Sequence, residues 1–319
     1  MTLNLSSCDY AKLAEAIFCT LENSFSNIQE YEPKLISNFV YYLPKYINDY
    51  NFSKKIIIKS GGIFIHANPL ITCKSFPDKS PKSVEIGDLL LIRTLVINKK
   101  PQERRALMLQ AKKTKNIPTT PDNKNQWHIY EKWPMFTYAK RSGTLTGQVR
   151  HIQEPDMYDA AKYLLIGTNH NAQPVFIPYC CLFPWKPYLP AIHNLYTAHP
   201  TMTNISRYRS FSAELFQFLI GNAGKIFQKP EVNDIGWNKV INDLVTMTRH
   251  LTTSYIKPPT NTRGQGSFFM TNYDSSESYM ALNTDGYEGN NGLPPGLEEI
   301  DDSDGGGISI IEFIVEQQD

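Results

Sequence analysis

The chain of 319 residues is 41% hydrophobic and 20% charged, enough apolar matter to bury a core, which excludes wholesale disorder. No apolar run approaches the roughly 20 residues of a membrane-spanning helix. Met1-Thr2-Leu3-Asn4 opens no basic-then-apolar leader, and the five cysteines (Cys8, Cys19, Cys73, Cys180, Cys181) form no Cys-x-x-Cys pair; the expectation is a cytoplasmic protein without a disulfide framework or zinc ribbon. The net charge of +1 hides a polarity: residues 260–319 hold one base and twelve acids, −11, while residues 1–259 hold 31 bases and 19 acids, +12. A basic body suits a polyanionic partner, and an acidic tail suits that body or a basic partner; a solvating tail is the plainer alternative.

Residues 9–24 and 30–48 read as helices, with Leu13, Ala14, Ile17, Phe18 and Leu21, then Leu35, Ile36, Phe39, Val40, Leu43 and Ile47, at helical spacing. Pro33 falls in the first turn of the second, where its missing N–H is harmless. The period then changes: 55–59 and 63–66 read as strands about a Ser60-Gly61-Gly62 turn. Residues 83–97 and 104–111 form a second apolar pair about a turn at 98–102. A short helix over 125–133 is cut by Pro134, and 162–168 with 174–178 suggest another strand pair. Residues 178–200 are irregular, rich in proline and aromatics. Two helices follow, one lined by Phe211, Leu215, Phe218 and Leu219 and ended by Gly221, the other lined by Trp237, Val240, Ile241, Leu244 and Val245. Beyond Pro258-Pro259 the chain turns to Gly, Ser, Asn and Asp, and ends in a β-prone run at 308–316, which wants a sheet edge in this chain or in a partner. The class is α+β, a central mixed sheet flanked by helices: a core over 1–180, a helical subdomain over 181–259 and an acidic tail over 260–319.

The chemistry concentrates on the second hairpin. A turn centred near 98–101 sets Asp88 opposite Gln110, and period-2 alternation gives Gln110 and Lys112 one face. A carboxylate, an amide oxygen and an ammonium then converge at one hairpin end. Asp88 and the Gln110 oxygen are ligands of the kind Mg²⁺ takes, with the Ala111 carbonyl as a third, and Lys112 would stabilise charge on a phosphate. A plain Asp88–Lys112 ion pair is the alternative.

Asp88…Gln110-Ala111-Lys112 on two adjacent strands resembles the active-site core of the PD-(D/E)XK restriction-endonuclease-like superfamily, in its variant with Gln for the acid. Ile86-Gly87-Asp88 resembles the Gly-x-x-Asp region of the RecB-type branch, with the glycine one residue before the aspartate, and Gln126-x-x-x-Tyr130 is similar to that branch's helix motif. Two helices before the sheet fit the layout, and the resemblance spans about residues 10–180. It implies metal-dependent phosphodiester hydrolysis, DNA favoured and endonucleolytic, with Mg²⁺ or Mn²⁺, in a prokaryotic (antiviral) defence or restriction setting with partner subunits; a homo-oligomer is compatible. Asp88, Gln110, Lys112, Gln126 and Tyr130 become the catalytic set, and Asp88 and Gln110 metal ligands. With Gln in place of an acid a second carboxylate is wanted: Glu85, if a bulge near Gly87 re-aims it, or Glu15, Glu22 or Glu30 from the early helices. The competing class is an inactive nucleic-acid-binding or scaffold subunit on the same fold.

Other features weigh less. Lys113 and Lys115, with Lys124, Lys132, Lys140 and Arg141, form a basic rim for nucleic acid, and Arg207 and Arg209 are candidate phosphate contacts. His66, at a strand end, is a minor ligand candidate; Cys180-Cys181 reads as structural, and Gly305-Gly306-Gly307 precedes a strand and so makes no phosphate loop.

Overall fold

The computed structural model describes residues 1–53, 55–65, 69–140, 142–154, 157–168, 194–201, 204–249, 267–269 and 307–317. His66, Arg141, the expected strand at 174–178, Cys180, Cys181 and most of the acidic tail lie outside the described residues. In chain order the elements are α1 (Ser7–Phe25), α2 (Glu32–Asp49), β1 (Ile56–Phe64), β2 (Leu70–Thr72), β3 (Val84–Glu85), β4 (Leu89–Ile97), β5 (Lys100–Thr114), α3 (Lys124–Lys132), β6 (Phe136–Tyr138), β7 (Val149–Arg150), α4 (Met157–Ala160), β8 (Ala161–Gly167), β9 (Leu195–Pro200), β10 (Ile205–Ser210), α5 (Phe211–Ile220), β11 (Lys225–Ile226), α6 (Trp237–Arg249), β12 (Ser267–Phe269) and β13 (Ser309–Gln317). No helix among the described residues is long and apolar enough to cross a membrane.

The fold is α+β about a mixed sheet in the order β10-β9-β8-β5-β4-β13-β1-β12, with β11 beside the first half of β5. Its central strands are buried on both faces, which is why 89–92 and 164–166 read as unbroken apolar runs rather than alternating ones. One face packs on α1, α2 and α5 through residues such as Ile17, Phe39 and Phe211; the other packs on α3, α6 and a small second sheet of order β3-β2-β6-β7. Local chemistry sets the ends. Ser6 accepts from Asp9 N–H at 3.1 Å to start α1. Asn123 accepts from Gln126 N–H at 3.0 Å to start α3, and Trp133, in the left-handed region at φ 43°, ends it before Pro134.

Three expectations change. The glycines at 61 and 62 make no turn: β1 runs straight through them, because a Cβ on Gly62 would stand 3.0 Å from Val40 Cγ1, and the bare backbone lets α2 lie close on the strand. The β-prone end at 308–316 joins this chain's own sheet, but at its centre and not at an edge. As β13 it lies between β4, parallel, and β1, antiparallel, at the centre of the sheet, with Ile310, Ile311, Phe313, Ile314 and Val315 buried, each worth about 1.5–3 kcal/mol. The run at 178–200, expected to be irregular, ends in a strand, β9, and with β10 it extends the same sheet while α5 packs beside α1 and α2, so residues 195–220 share the main core.

Candidate active site

The hairpin of β4 and β5 turns on Asn98 and Lys99, both at positive φ (52° and 60°), a two-residue connection shorter than the expected turn. Its register is the expected one: Leu89 pairs Leu109, and Asp88 N–H donates to the Leu109 carbonyl at 2.9 Å, so Asp88 faces Gln110. The stretch 83–97 is, however, two strands in two sheets. β3 ends in the small sheet at Glu85, β4 starts in the main sheet at Leu89, and Ile86-Gly87-Asp88 crosses between them.

That crossing is held by α3. Tyr130, buried, donates its hydroxyl to the Ile86 carbonyl at 3.0 Å, and Gln126 Nε2 reaches the Glu85 carbonyl at 3.5 Å. Gly87 leaves room for this: a Cβ there would stand 3.0 Å from the Tyr130 hydroxyl and 2.9 Å from Met108 Cγ. Gln126 and Tyr130 thus share a helix face as expected, yet they touch backbone rather than reacting groups and act as positioning residues. The same crossing brings the Glu85 carboxyl into hydrogen-bonding range of Asp88, which an unbroken strand would not.

The end of β5 is an open edge, because β4 begins only at Leu89. Carboxylates fill it: Asp88 Oδ2 accepts from Ala111 N–H at 2.7 Å and from the Gln110 side-chain amide, and Glu32 Oε2 accepts from Lys113 N–H at 2.8 Å. Glu32 escapes a reading of the sequence. At the first position of α2, before Pro33, it looks like an ordinary helix-start acid. Glu30 contributes only its backbone carbonyl, to Lys113 Nζ at 2.6 Å, and Glu15 and Glu22 flank Cys19 on α1 instead.

The cluster is short of positive charge. Burial pushes the Glu32 carboxyl up to about 7, against the Lys113 N–H and the Lys112 charge, with Glu85 and Asp122 adding to the rise. Asp88 is pushed well above the usual carboxylate range, by burial first and then by Glu85 and Glu32. Lys112 does not pair with Asp88: it pairs with the largely exposed Asp122, ahead of α3. Gln110 is 4% exposed, and its Oε1 is buried with no hydrogen-bond partner. A small pocket touches the centre, lined by Glu32, Pro33, Ile36, Phe64, Ile65 and Asp88.

The other candidates lie elsewhere. Lys113 is turned to the start of α2, and Lys115 is exposed. Arg209 pairs with Glu214 at 3.1 Å on the α1/α2/α5 side, while Arg207 lies over the Tyr196 ring at 4.9 Å. Among the described residues no three His, Cys, Asp or Glu side chains converge as a ready metal site. What remains fits a hard cation that keeps several waters and takes one or two carboxylates: Asp88 and Glu85 or Glu32, with the orphaned Gln110 oxygen beside them. No family model, curated protein or solved structure matches this chain.

Proposed function

We propose that the chain is a metal-dependent phosphodiesterase acting on nucleic acid, DNA first. The observation that carries this reading is the uncompensated acid cluster Glu32–Glu85–Asp88 at the open end of β5, with Gln110 and Lys112 on one face beside it. Carboxyls whose charges bear on one another are relieved by a proton or by a cation, and perturbed acids in a cleft are candidate functional groups. A divalent ion held there would supply Lewis-acid stabilisation of a phosphoryl oxygen and a more acidic water. The chain's own groups do the rest. Asp88, fixed at Oδ2 by the Ala111 N–H and the Gln110 amide, would hold the ion together with Glu85. Lys112, freed from the exposed Asp122, would meet a non-bridging phosphate oxygen. Glu32, raised to about 7, holds or gives up a proton near neutral pH.

A second reading, an inactive nucleic-acid-binding subunit, is favoured by the Lys112–Asp122 pair and by the absence of a three-ligand cluster among the described residues. Plasmid incubated with Mg²⁺, Mn²⁺ or EDTA separates the two. The enzyme reading expects metal-dependent cleavage that Asp88→Ala and Lys112→Ala each abolish. Near-wild-type cleavage by either variant overturns the site, and no cleavage by the parent leaves the second reading.

A further inference from the structure

Two residues toward the outer edge of the sheet stand in register with Gln110 and Lys112. Lys112, Leu165 and Tyr196 occupy one row across β5, β8 and β9, and Gln110, Tyr163, Ala198 and Arg207 occupy the next row out to β10. Residues directly opposite one another share a face, so Tyr196 and Arg207 lie on the face that carries Gln110 and Lys112. Arg207 lays its guanidinium over the Tyr196 ring at 4.9 Å and is itself exposed. Among the described residues it pairs with no carboxylate, whereas its neighbour Arg209 is held by Glu214. β10 is the outermost described strand of the sheet, and Thr119 bridges its outer edge at Ile205, two residues before Arg207.

We propose that Arg207, backed by Tyr196, is a stacking platform for a base of single-stranded nucleic acid whose backbone runs on to the Asp88–Lys112 centre. A guanidinium plane braced on an aromatic ring offers a flat, cationic surface. A base stacks on it and the adjoining phosphate is drawn to its charge, with no sequence read. A duplex cannot use it, because paired bases are not free to stack on a side chain. The platform therefore favours a single strand or a frayed end as the substrate of the centre, and it rests on the phosphodiesterase reading only for what happens after binding.

Fluorescence anisotropy of the full chain in EDTA, where nothing is cut, tests it with labelled oligothymidylate, oligouridylate and a blunt duplex of equal length. The single strands should bind more tightly than the duplex. Tyr196→Ala and Arg207→Gln should each weaken single-strand binding about tenfold, with the salt slope falling by about one for Arg207→Gln, while Tyr196→Phe stays within about twofold because it keeps the ring. The thymidylate and uridylate arms tell DNA from RNA. Arg207 is exposed, so its variant reports even if Tyr196→Ala does not fold. Unchanged affinity in Arg207→Gln, or a parent that prefers the duplex, overturns the platform. Cleavage by the parent keeps the two readings apart: a parent that binds single strands through Arg207 in EDTA and cuts nothing with Mn²⁺ keeps the platform and loses the phosphodiesterase reading.

Discussion

Two ionic clusters sit against the same sheet, and they are built differently. On the α1/α2/α5 face Lys162 and Glu214 are both fully buried and pair directly. Arg209 reaches the second Glu214 oxygen at 3.1 Å, Asp159 stands 3.6 Å from Lys162, and the Tyr208 ring lies 4.9 Å from that ammonium. Charges there balance two against two. At the open end of β5 the charges of Glu85 and Glu32 bear on Asp88, and Lys112 is turned to Asp122. A balanced buried cluster costs little more than its desolvation and holds elements in place; an unbalanced one stores unfavourable energy unless something cationic arrives. The first is architecture, and the second is where we place the chemistry.

The sharpest way to break this contrast is at Asp88. Asp88→Asn keeps an oxygen for the Ala111 N–H and removes a crowded charge. It should lose metal-dependent cleavage by at least about 100-fold and yet melt no lower than the parent. Calorimetry beside a plasmid assay checks both; a large drop in melting temperature with activity retained would make Asp88 a structural residue. The converse holds for the balanced cluster. Glu214→Leu should cost about 3–5 kcal/mol, since it strands the buried Lys162. The double change with Lys162→Met should recover much of that, which denaturant midpoints for both singles and the double would show.

Much of the fold and part of the site are legible in the sequence, and the reasons are local. Asn98 and Lys99 fix a two-residue turn, so the register that sets Asp88 against Gln110 follows from counting along apolar strands. Helix ends follow from Pro33, Pro134 and Gly221. What the sequence hides depends on contacts distant along the chain. Glu32 becomes a site residue only because the start of α2 meets Lys113, 81 residues away. Glu85 turns inward only because the chain changes sheets after it. The apolar run at 308–316 gives no sign that the slot between β1 and β4 is vacant without it. Gly61-Gly62 reads as a turn until Val40 is seen against it. The Lys112–Asp122 pair crosses a loop whose path the sequence does not state.

A smaller effect is expected at Glu32. Its carboxyl titrates higher in the fold, at about 7, than in the unfolded chain, so the native state binds the extra proton and stability falls as pH rises from about 4.5 to 7. Glu32→Gln keeps an acceptor for the Lys113 N–H and removes that loss. It should raise stability at pH 8 by about 1 kcal/mol or more, with little change at pH 4.5, and should reduce cleavage. Equal urea midpoints for parent and variant at pH 8 would mean the acid is not under stress.

The smallest effect, and the one that separates the two clusters by pH, belongs to His199. It lies beside the balanced cluster, ringed by Tyr158 and Tyr208 at 5.0 and 4.9 Å, with Lys162, Arg209 and Asp159 the charges that face it. Burial, then the Lys162 charge, pushes its imidazole down to about 4. A base depressed in the fold takes its proton first in the unfolded chain. Its contribution is therefore whole above about 6.5 and is lost as pH falls from there toward about 4, the opposite sign to Glu32. Because the ring is part exposed, solvent screening holds the loss to about 2 kcal/mol at most. The parent's pH dependence then includes two slopes of opposite sign over nearly the same window. On acidification from pH 6.5 to 4.5, His199→Gln should lose less stability than the parent, and Glu32→Gln should lose more. Urea midpoints at half-unit steps resolve the pair, and parallel curves for His199→Gln and the parent would place the imidazole in a wetter setting than its neighbours imply.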